Sequence, residues 1–184
     1  MSQAVTQQSR TRGAFQLSKQ DFAVEDAAEM MDVLQNSKCL LRYDKISHEL
    51  LSELLVAIAT KGEVIGGNNL GSDVSSPTFG LIEVKSRILG TDGPFPRVSL
   101  KQRNLDKSSW VAAVRWHRNF TLYDAVMLPK LSVERLFSAK VQVSGTAHIA
   151  WQTWISASEA LSIRDVCIAA MQTTNRTIKL AVPS

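Results

Sequence analysis

The chain has few of the residue types from which chemical sites are built. Among its 184 residues there are two cysteines and three histidines, and they are widely separated. It contains no CxxC pair, no HExxH, no GxSxG and no glycine loop that ends in Gly-Lys-Ser/Thr. A structural zinc site, a nucleophile elbow and a phosphate-binding P-loop are therefore not expected. The sequence predicts a protein that is not an enzyme and that uses no metal and no cofactor.

Long hydrophobic runs are also missing. No apolar stretch approaches the roughly 18 residues of a membrane-spanning helix, and the N-terminus lacks the apolar segment of a signal peptide. The two cysteines, Cys39 and Cys167, fit buried thiols in a reducing compartment. We therefore expect a protein that neither spans a membrane nor is secreted.

The charge is unevenly distributed along a chain of otherwise ordinary globular composition. Residues 1–20 hold three basic and no acidic side chains, whereas residues 21–35 hold five acidic and no basic ones. We predict a flexible basic N-terminal arm over 1–18, followed by one globular domain over 19–184. The alternative for the arm is a frayed, solubilising tail. If the arm docks on another copy of the chain, its charged and apolar anchors are Arg10, Arg12, Phe15 and Leu17.

Apolar periodicity predicts helices first and strands later. Helical spacing covers about 20–35 and 48–60, and Ser47 and Gly62 mark the ends of the second helix. A turn at Ser144 and Gly145 indicates a hairpin. Strands are predicted at 38–43, 79–88, 110–116, 137–143, 148–155 and 177–182. The stretch 157–171 carries both signals, and a helix is favoured. The fold class is α+β, with N-terminal helices packed on a mostly antiparallel β-sheet in a single compact domain.

The most informative stretch for function is 97–118, which holds six basic residues and one acidic residue. Such a cluster attracts phosphates or anionic lipid when its members share one face. Next to it Phe95, between two prolines, is a candidate for insertion into lipid headgroups. The alternative for the basic cluster is a solvated strand-and-loop surface without a ligand, and the alternative for Phe95 is a turn packed against the domain. We expect one exterior patch formed by Arg97, Lys101, Arg103, Lys107, Arg115 and Arg118.

Three stretches taken together resemble the matrix proteins of rhabdoviruses. They are the apolar 79–90, the basic-aromatic 109–122 and the segment 138–155, in which Gly145 leads to Trp151 and Trp154. Similar strands occur in that order in the family, and the resemblance covers about 38–171. The PPxY budding motif that animal-virus members often carry in the arm does not occur here.

The resemblance implies a non-enzymatic viral structural protein beneath the envelope. It would self-associate, condense the nucleocapsid and bind the anionic inner membrane surface peripherally. Its location would be the virion, the host cytoplasm and the inner membrane surface, and RNA is a further possible partner. The alternatives are a jelly-roll viral capsid or RNA-binding viral protein, and a host-directed interaction module with no role in assembly.

Overall fold

A computed structural model describes residues 23–43, 46–65, 72–90 and 96–181. The chain divides into two units, Met1–Lys45 and Ile46–Ser184. The predicted boundary between the basic arm and the globular domain lies outside the described residues, as do all four anchors of the arm.

The first unit contains two helices, α1 (Ala23–Asn36) and α2 (Lys38–Tyr43). The first agrees with the predicted helix within the described range. The strand predicted at 38–43 is wrong. This run contains leucine, lysine and arginine and no β-branched residue, so its intrinsic preference is helical. A short apolar run carries too little periodicity to separate helix from strand.

The second unit is an α+β domain built on a mostly antiparallel sheet, which confirms the predicted fold class. Its helices are α3 (His48–Ala59), α4 (Gln102–Asp106), α5 (Lys130–Ser138), α6 (Trp151–Ile155) and α7 (Arg164–Ala181). Its strands are β1 (Glu63–Val64), β2 (Val74–Ser76), β3 (Gly80–Ile88), β4 (Arg97–Lys101), β5 (Trp110–Trp116), β6 (Leu122–Pro129), β7 (Thr146–Ala150) and β8 (Leu161–Ser162).

Two sheets organise this unit. The larger has the order β1-β2-β3-β5-β6-β8, in which only β3 and β5 run parallel. The smaller is the antiparallel pair β4-β7. Among the described residues there are no two four-stranded antiparallel sheets, so the alternative of a jelly roll is wrong for this fold.

The central strand β5 separates two hydrophobic cores because successive side chains point to opposite faces. Ala112, Val114 and Trp116 pack with α3 and α7 on one face. Val111 and Ala113 pack on the other face with β4, β7, α5 and α6. The sequence predicted the first set as one face correctly. The second set is equally buried because the smaller sheet and its helices cover it.

Helix α3 was predicted accurately. The Ser47 side chain accepts a hydrogen bond from the Leu50 N–H at 3.2 Å, which caps the N-terminus. Beyond its end, Gly62 passes so close to β2 that a Cβ atom there would lie 2.4 Å from the Ser75 carbonyl oxygen. Glycine is therefore required by a backbone contact at this position.

The C-terminal third differs from the sequence expectation. The strand predicted at 137–143 is wrong, because α5 extends to Ser138 and buries Val133 and Phe137 one turn apart. Gly145 does turn the chain, with φ at +74°. However, β7 pairs along its length with β4 and not with the segment before the turn. Of the predicted hairpin only one β-bridge forms, between Val141 and Ala147. The predicted strand 148–155 becomes helix α6 at Trp151. The predicted strand from 177 is also wrong, since α7 continues to Ala181. The helix favoured over 157–171 begins only at Arg164, after β8.

Candidate functional site

Strand β4 sorts its side chains into two sets by alternation. Val98 and Leu100 are buried in the core, whereas Arg97 and Lys101 are exposed on the outer face. Ser99 lies between them on that face, and its Oγ is 2.9 Å from His148 Nδ1 of β7. The strand therefore presents two cations to solvent while its apolar residues attach it to the domain.

Helix α4 continues this surface. Asn104 Oδ1 accepts a hydrogen bond from the Lys101 N–H at 3.0 Å, and Leu105 is fully buried beneath the helix. Arg103 and Lys107 are thereby left on the solvent side. We call the exposed group formed by Arg97, Lys101, Arg103 and Lys107 the basic strip.

The expectation that Arg115 lies on the exterior is wrong. Its side chain is 2% exposed, and its guanidinium lies 5.0 Å from the ring centroid of Trp151. Arg115 occupies the β5 face that the smaller sheet covers, so alternation directs it into the domain. A charge count along the sequence carries no information about that second layer.

Arg118 is exposed but lies at the other end of β5 from Lys107. Seven strand residues separate the two ends by roughly 20 Å at about 3.3 Å per residue. The Arg118 guanidinium lies against Gly90, whose φ is +83°. The prediction of one patch with six members is therefore wrong. Four of the six form the basic strip, one is buried and one is remote.

An apolar hairpin tip lies beside the basic strip. Residues 142–145 form a turn, with the Gly145 N–H donating to the Gln142 carbonyl oxygen at 2.8 Å. Val143 is fully exposed at 109% of its reference area. Because Thr146 is the register partner of Lys101, the turn lies at the Lys101 end of β4, next to the middle of the strip. The sequence interpretation missed this tip because it placed Val143 in a strand. Phe95, the predicted insertion residue, lies outside the described part of the chain.

A basic cavity of about 200 Å³ opens between β3 and β4. Sequence reasoning missed it, although the alternation of Lys85 and Arg87 along a predicted strand was the available signal. Four of its lining side chains are cationic and one is a carboxylate. The lining consists of Glu49, Val84, Lys85, Ser86, Arg87, Arg97, Val98, Ser99 and Arg115.

Beside the cavity, a buried carboxylate has a perturbed protonation equilibrium. Glu83 is 5% exposed, and this burial raises its pKa above the usual value. The neighbouring Lys85 ammonium opposes the shift and forms an ion pair with it, while Asn104 Nδ2 donates a hydrogen bond to it at 2.7 Å. Glu83 therefore links β3 to α4 and forms an ion pair with Lys85, which lines the cavity.

Other candidate chemistry is sparse in the described ranges. They contain no group of three or more His, Cys, Asp or Glu residues arranged to hold a metal ion. Burial raises the pKa of the Cys167 thiol to about 11. No described helix is both long enough and apolar enough to cross a bilayer.

Comparison with known proteins finds no matching family model and no matching curated sequence. The resemblance to rhabdovirus matrix proteins therefore stays a prediction.

Proposed function

We propose that the chain is a non-enzymatic structural protein of matrix type that binds anionic membrane surfaces peripherally. The observation that carries the proposal is the position of the exposed Val143 beside the basic strip. An apolar tip flanked by cations suits the boundary between headgroups and acyl chains. On this proposal the protein acts in the virion beneath the envelope and, before assembly, in the host cytoplasm and at the inner membrane surface.

The strength of this contact follows from the charge count. Each lysine or arginine near an anionic membrane contributes about 1 kcal/mol, so the four cations of the strip contribute about 4 kcal/mol. That corresponds to a dissociation constant of about 1 mM, which is weak for one copy. Stable attachment therefore needs several linked copies, whose combined avidity exceeds the single affinity. A scaffold that binds only after assembly has this property.

Self-association is the second part of the proposal, and α1 of a second copy is the partner surface we assign to it. Met30 and Met31 are 63% and 55% exposed, and Leu34 continues their stripe. The same helix carries acidic residues and no basic residue. Its acidic charge favours a basic surface of the other copy, which supports a head-to-tail contact that leaves the basic strip for the membrane. The strip could also contact nucleocapsid phosphates, which supports condensation of the nucleocapsid.

Vesicle flotation tests the membrane contact. The variant Arg103→Gln/Lys107→Gln should bind anionic vesicles roughly 30-fold more weakly, at about 1 kcal/mol per charge. The matched control is Lys61→Gln/Arg118→Gln, which removes the same charge from exposed positions outside the strip. A second variant, Val143→Ser, should weaken binding without changing its salt dependence. Equal losses in the strip and control variants, or binding that ignores lipid charge and ionic strength, would contradict the proposal.

Sedimentation velocity tests the contact between copies. Wild-type protein should form larger species at low salt than at high salt, because the proposed interface is charged. The variant Met30→Gln/Met31→Gln should remain smaller. Leu131→Gln/Val166→Gln changes two equally exposed apolar residues elsewhere and should behave like wild type. A wild-type chain that stays monomeric at all concentrations would support a module without an assembly role.

RNA binding is the alternative outcome at the same surface. If the strip binds nucleic acid rather than lipid, single-stranded RNA should release bound vesicles, and the Val143→Ser change should leave RNA affinity unaltered. RNA binding without any flotation at low salt would favour the RNA-binding viral protein over the matrix protein.

A further inference from the structure

Three arginines from three different strands converge on the cavity between β3 and β4. Arg87 and Arg115 are register partners on the parallel strands β3 and β5, so their side chains start side by side on one face. Arg97 approaches from β4. Like charges on neighbouring strands repel each other. An anion between them would lower that repulsion.

Arg115 is held in place at the cavity by a rigid neighbour. Its guanidinium lies 5.0 Å from the centroid of the Trp151 ring, a geometry in which the ring face attracts a cation. The backbone N–H of Trp151 donates a hydrogen bond to the carbonyl oxygen of Pro96 at 2.9 Å, and Pro96 directly precedes Arg97. One residue thus positions the buried arginine and the start of β4. Such prior ordering reduces the entropy lost when a ligand binds.

The strand edge adds neutral donors. Among the described residues, β2 pairs with β3 only at Gly80–Ile82, and no described strand pairs with the later part of β3 on that side. The Val84 N–H points to this edge, where Asp73 Oδ2 accepts from it at 2.7 Å. By alternation the Ser86 N–H points the same way. Ser86 and Ser99 are also among the residues that line the cavity, and the Ser86 hydroxyl is hydrogen-bonded to Ser52 Oγ of α3 at 2.8 Å.

Acidic residues lie in and around the cavity, and Asp73 is one of them because its carboxylate accepts from the Val84 N–H at the strand edge. Glu49 lines the cavity, and Glu83 is ion-paired with Lys85. Asp124 is the register partner of Arg115 on β6, and its Oδ1 accepts from the Ala125 N–H at 2.8 Å. Apart from Lys85, which is ion-paired with Glu83, the lining contains three arginines and one carboxylate.

We propose that this cavity is a binding site for a single phosphate monoester group. Arginine is suited to phosphate because its planar fork donates two hydrogen bonds at once. The cavity of about 200 Å³ has room for such a group, since a water molecule occupies about 30 Å³ of liquid. Cations supplied from three strands around one small cavity suit a compact terminal phosphate, whereas the extended basic strip suits a continuous anionic surface. The site is separate from the strip apart from the shared Arg97.

Calorimetric titration of the full chain with inorganic phosphate, at constant ionic strength, tests this site. The variant Arg97→Gln should weaken phosphate binding about tenfold or more, because one charged hydrogen-bond donor is lost. Lys101→Gln is the matched control. It removes the same charge from the same face of β4, but Lys101 does not line the cavity. Its phosphate affinity should stay within about twofold of wild type.

Two results would overturn the proposal. One is the absence of phosphate binding by folded wild-type protein at concentrations up to about 10 mM, since a dissociation constant above that value is no tighter than one charged hydrogen bond provides. The other is an equal loss in Arg97→Gln and Lys101→Gln, which would indicate general charge attraction. Since the readout uses free phosphate and no vesicles, failure of the membrane proposal would leave this result unchanged.

A second arm identifies the source of the phosphate. Oligonucleotides with a 5′-phosphate are compared with 5′-hydroxyl counterparts, and phosphatidic acid vesicles are compared with phosphatidylserine vesicles. Selectivity for the monoester in either pair, lost in Arg97→Gln and kept in Lys101→Gln, assigns the source. Equal binding within both pairs would show that the cavity does not recognise a monoester and would contradict the proposal.

Discussion

Replacing Ser52 by alanine should destabilise the domain far more than its small size suggests. The Trp116 Nε1–H donates to Ser52 Oγ at 2.8 Å, and both side chains are fully buried. Ser52 Oγ also lies 2.7 Å from the His48 carbonyl oxygen and 2.8 Å from Ser86 Oγ. One hydroxyl group thus joins α3 to β3 and β5 beneath the basic cavity.

The size of the effect follows from the group left behind. Alanine leaves the indole N–H buried without its acceptor, which costs about 1–3 kcal/mol. The Ser86 hydroxyl already donates to the His48 carbonyl oxygen at 3.4 Å and keeps that partner in the variant, so we assign the loss to the indole alone. We expect the free energy of unfolding to fall by about 2 kcal/mol. Ser144→Ala, at the exposed hairpin tip, should change it by less than about 0.5 kcal/mol.

Urea denaturation followed by circular dichroism measures both variants. A double-mutant cycle with Trp116→Phe isolates the pair, because phenylalanine removes the donor and the double mutant leaves no indole N–H to satisfy. The coupling energy between the two positions should be about 1 kcal/mol or more. A Ser52→Ala variant within about 0.5 kcal/mol of wild type, or a coupling near zero, would refute this reasoning.

Three further predictions concern the rest of the domain. Gly62→Ala should be strongly destabilising in the same assay, because its Cβ atom would lie 2.4 Å from the Ser75 carbonyl oxygen. Gly145→Ala is the control: no atom lies within 4 Å of its Cβ position, so it should cost only the strain of a positive φ. Burial raises the pKa of Glu83, so the native state binds a proton more tightly than the unfolded state. The stabilisation that comes from protonated Glu83 is therefore complete below the ordinary glutamate pKa of 4.5 and is lost as the pH rises through the raised pKa of the folded state. Urea denaturation measured at several pH values should show this loss in the wild type and not in Glu83→Gln. The buried Cys167, with its pKa raised to about 11, should resist Ellman's reagent at about pH 8 until urea unfolds the domain, and Cys39→Ser should not change that behaviour. Rapid labelling of Cys167 in the native state would contradict its burial.

In the basic cluster of residues 97–118, counting charges along the sequence predicted only part of the candidate site. The sequence identified all six basic residues of 97–118 and the alternation of β5. It could not show that Arg115 is 2% exposed, because the layer that covers it comes from β4, β7 and α6. Nor could it bring Arg87 next to Arg97, since that proximity depends on how the two sheets pack. The apolar tip at Val143 was hidden for a related reason, because α5 continued to Ser138 where a strand was expected.

Sequence by itself determined the elements whose periodicity is strong and whose ends carry local signals. Helix α3 has a capping serine and a one-sided apolar stripe, and strands β3 and β5 alternate over several residues. Tertiary structure alone decided α5 and the continuation of the C-terminal helix beyond residue 171, together with the partner of β7 and the burial of Arg115. The physical reason is range. Capping and alternation act within a few residues, whereas strand pairing and the covering of a sheet face depend on side chains that lie far apart in the chain.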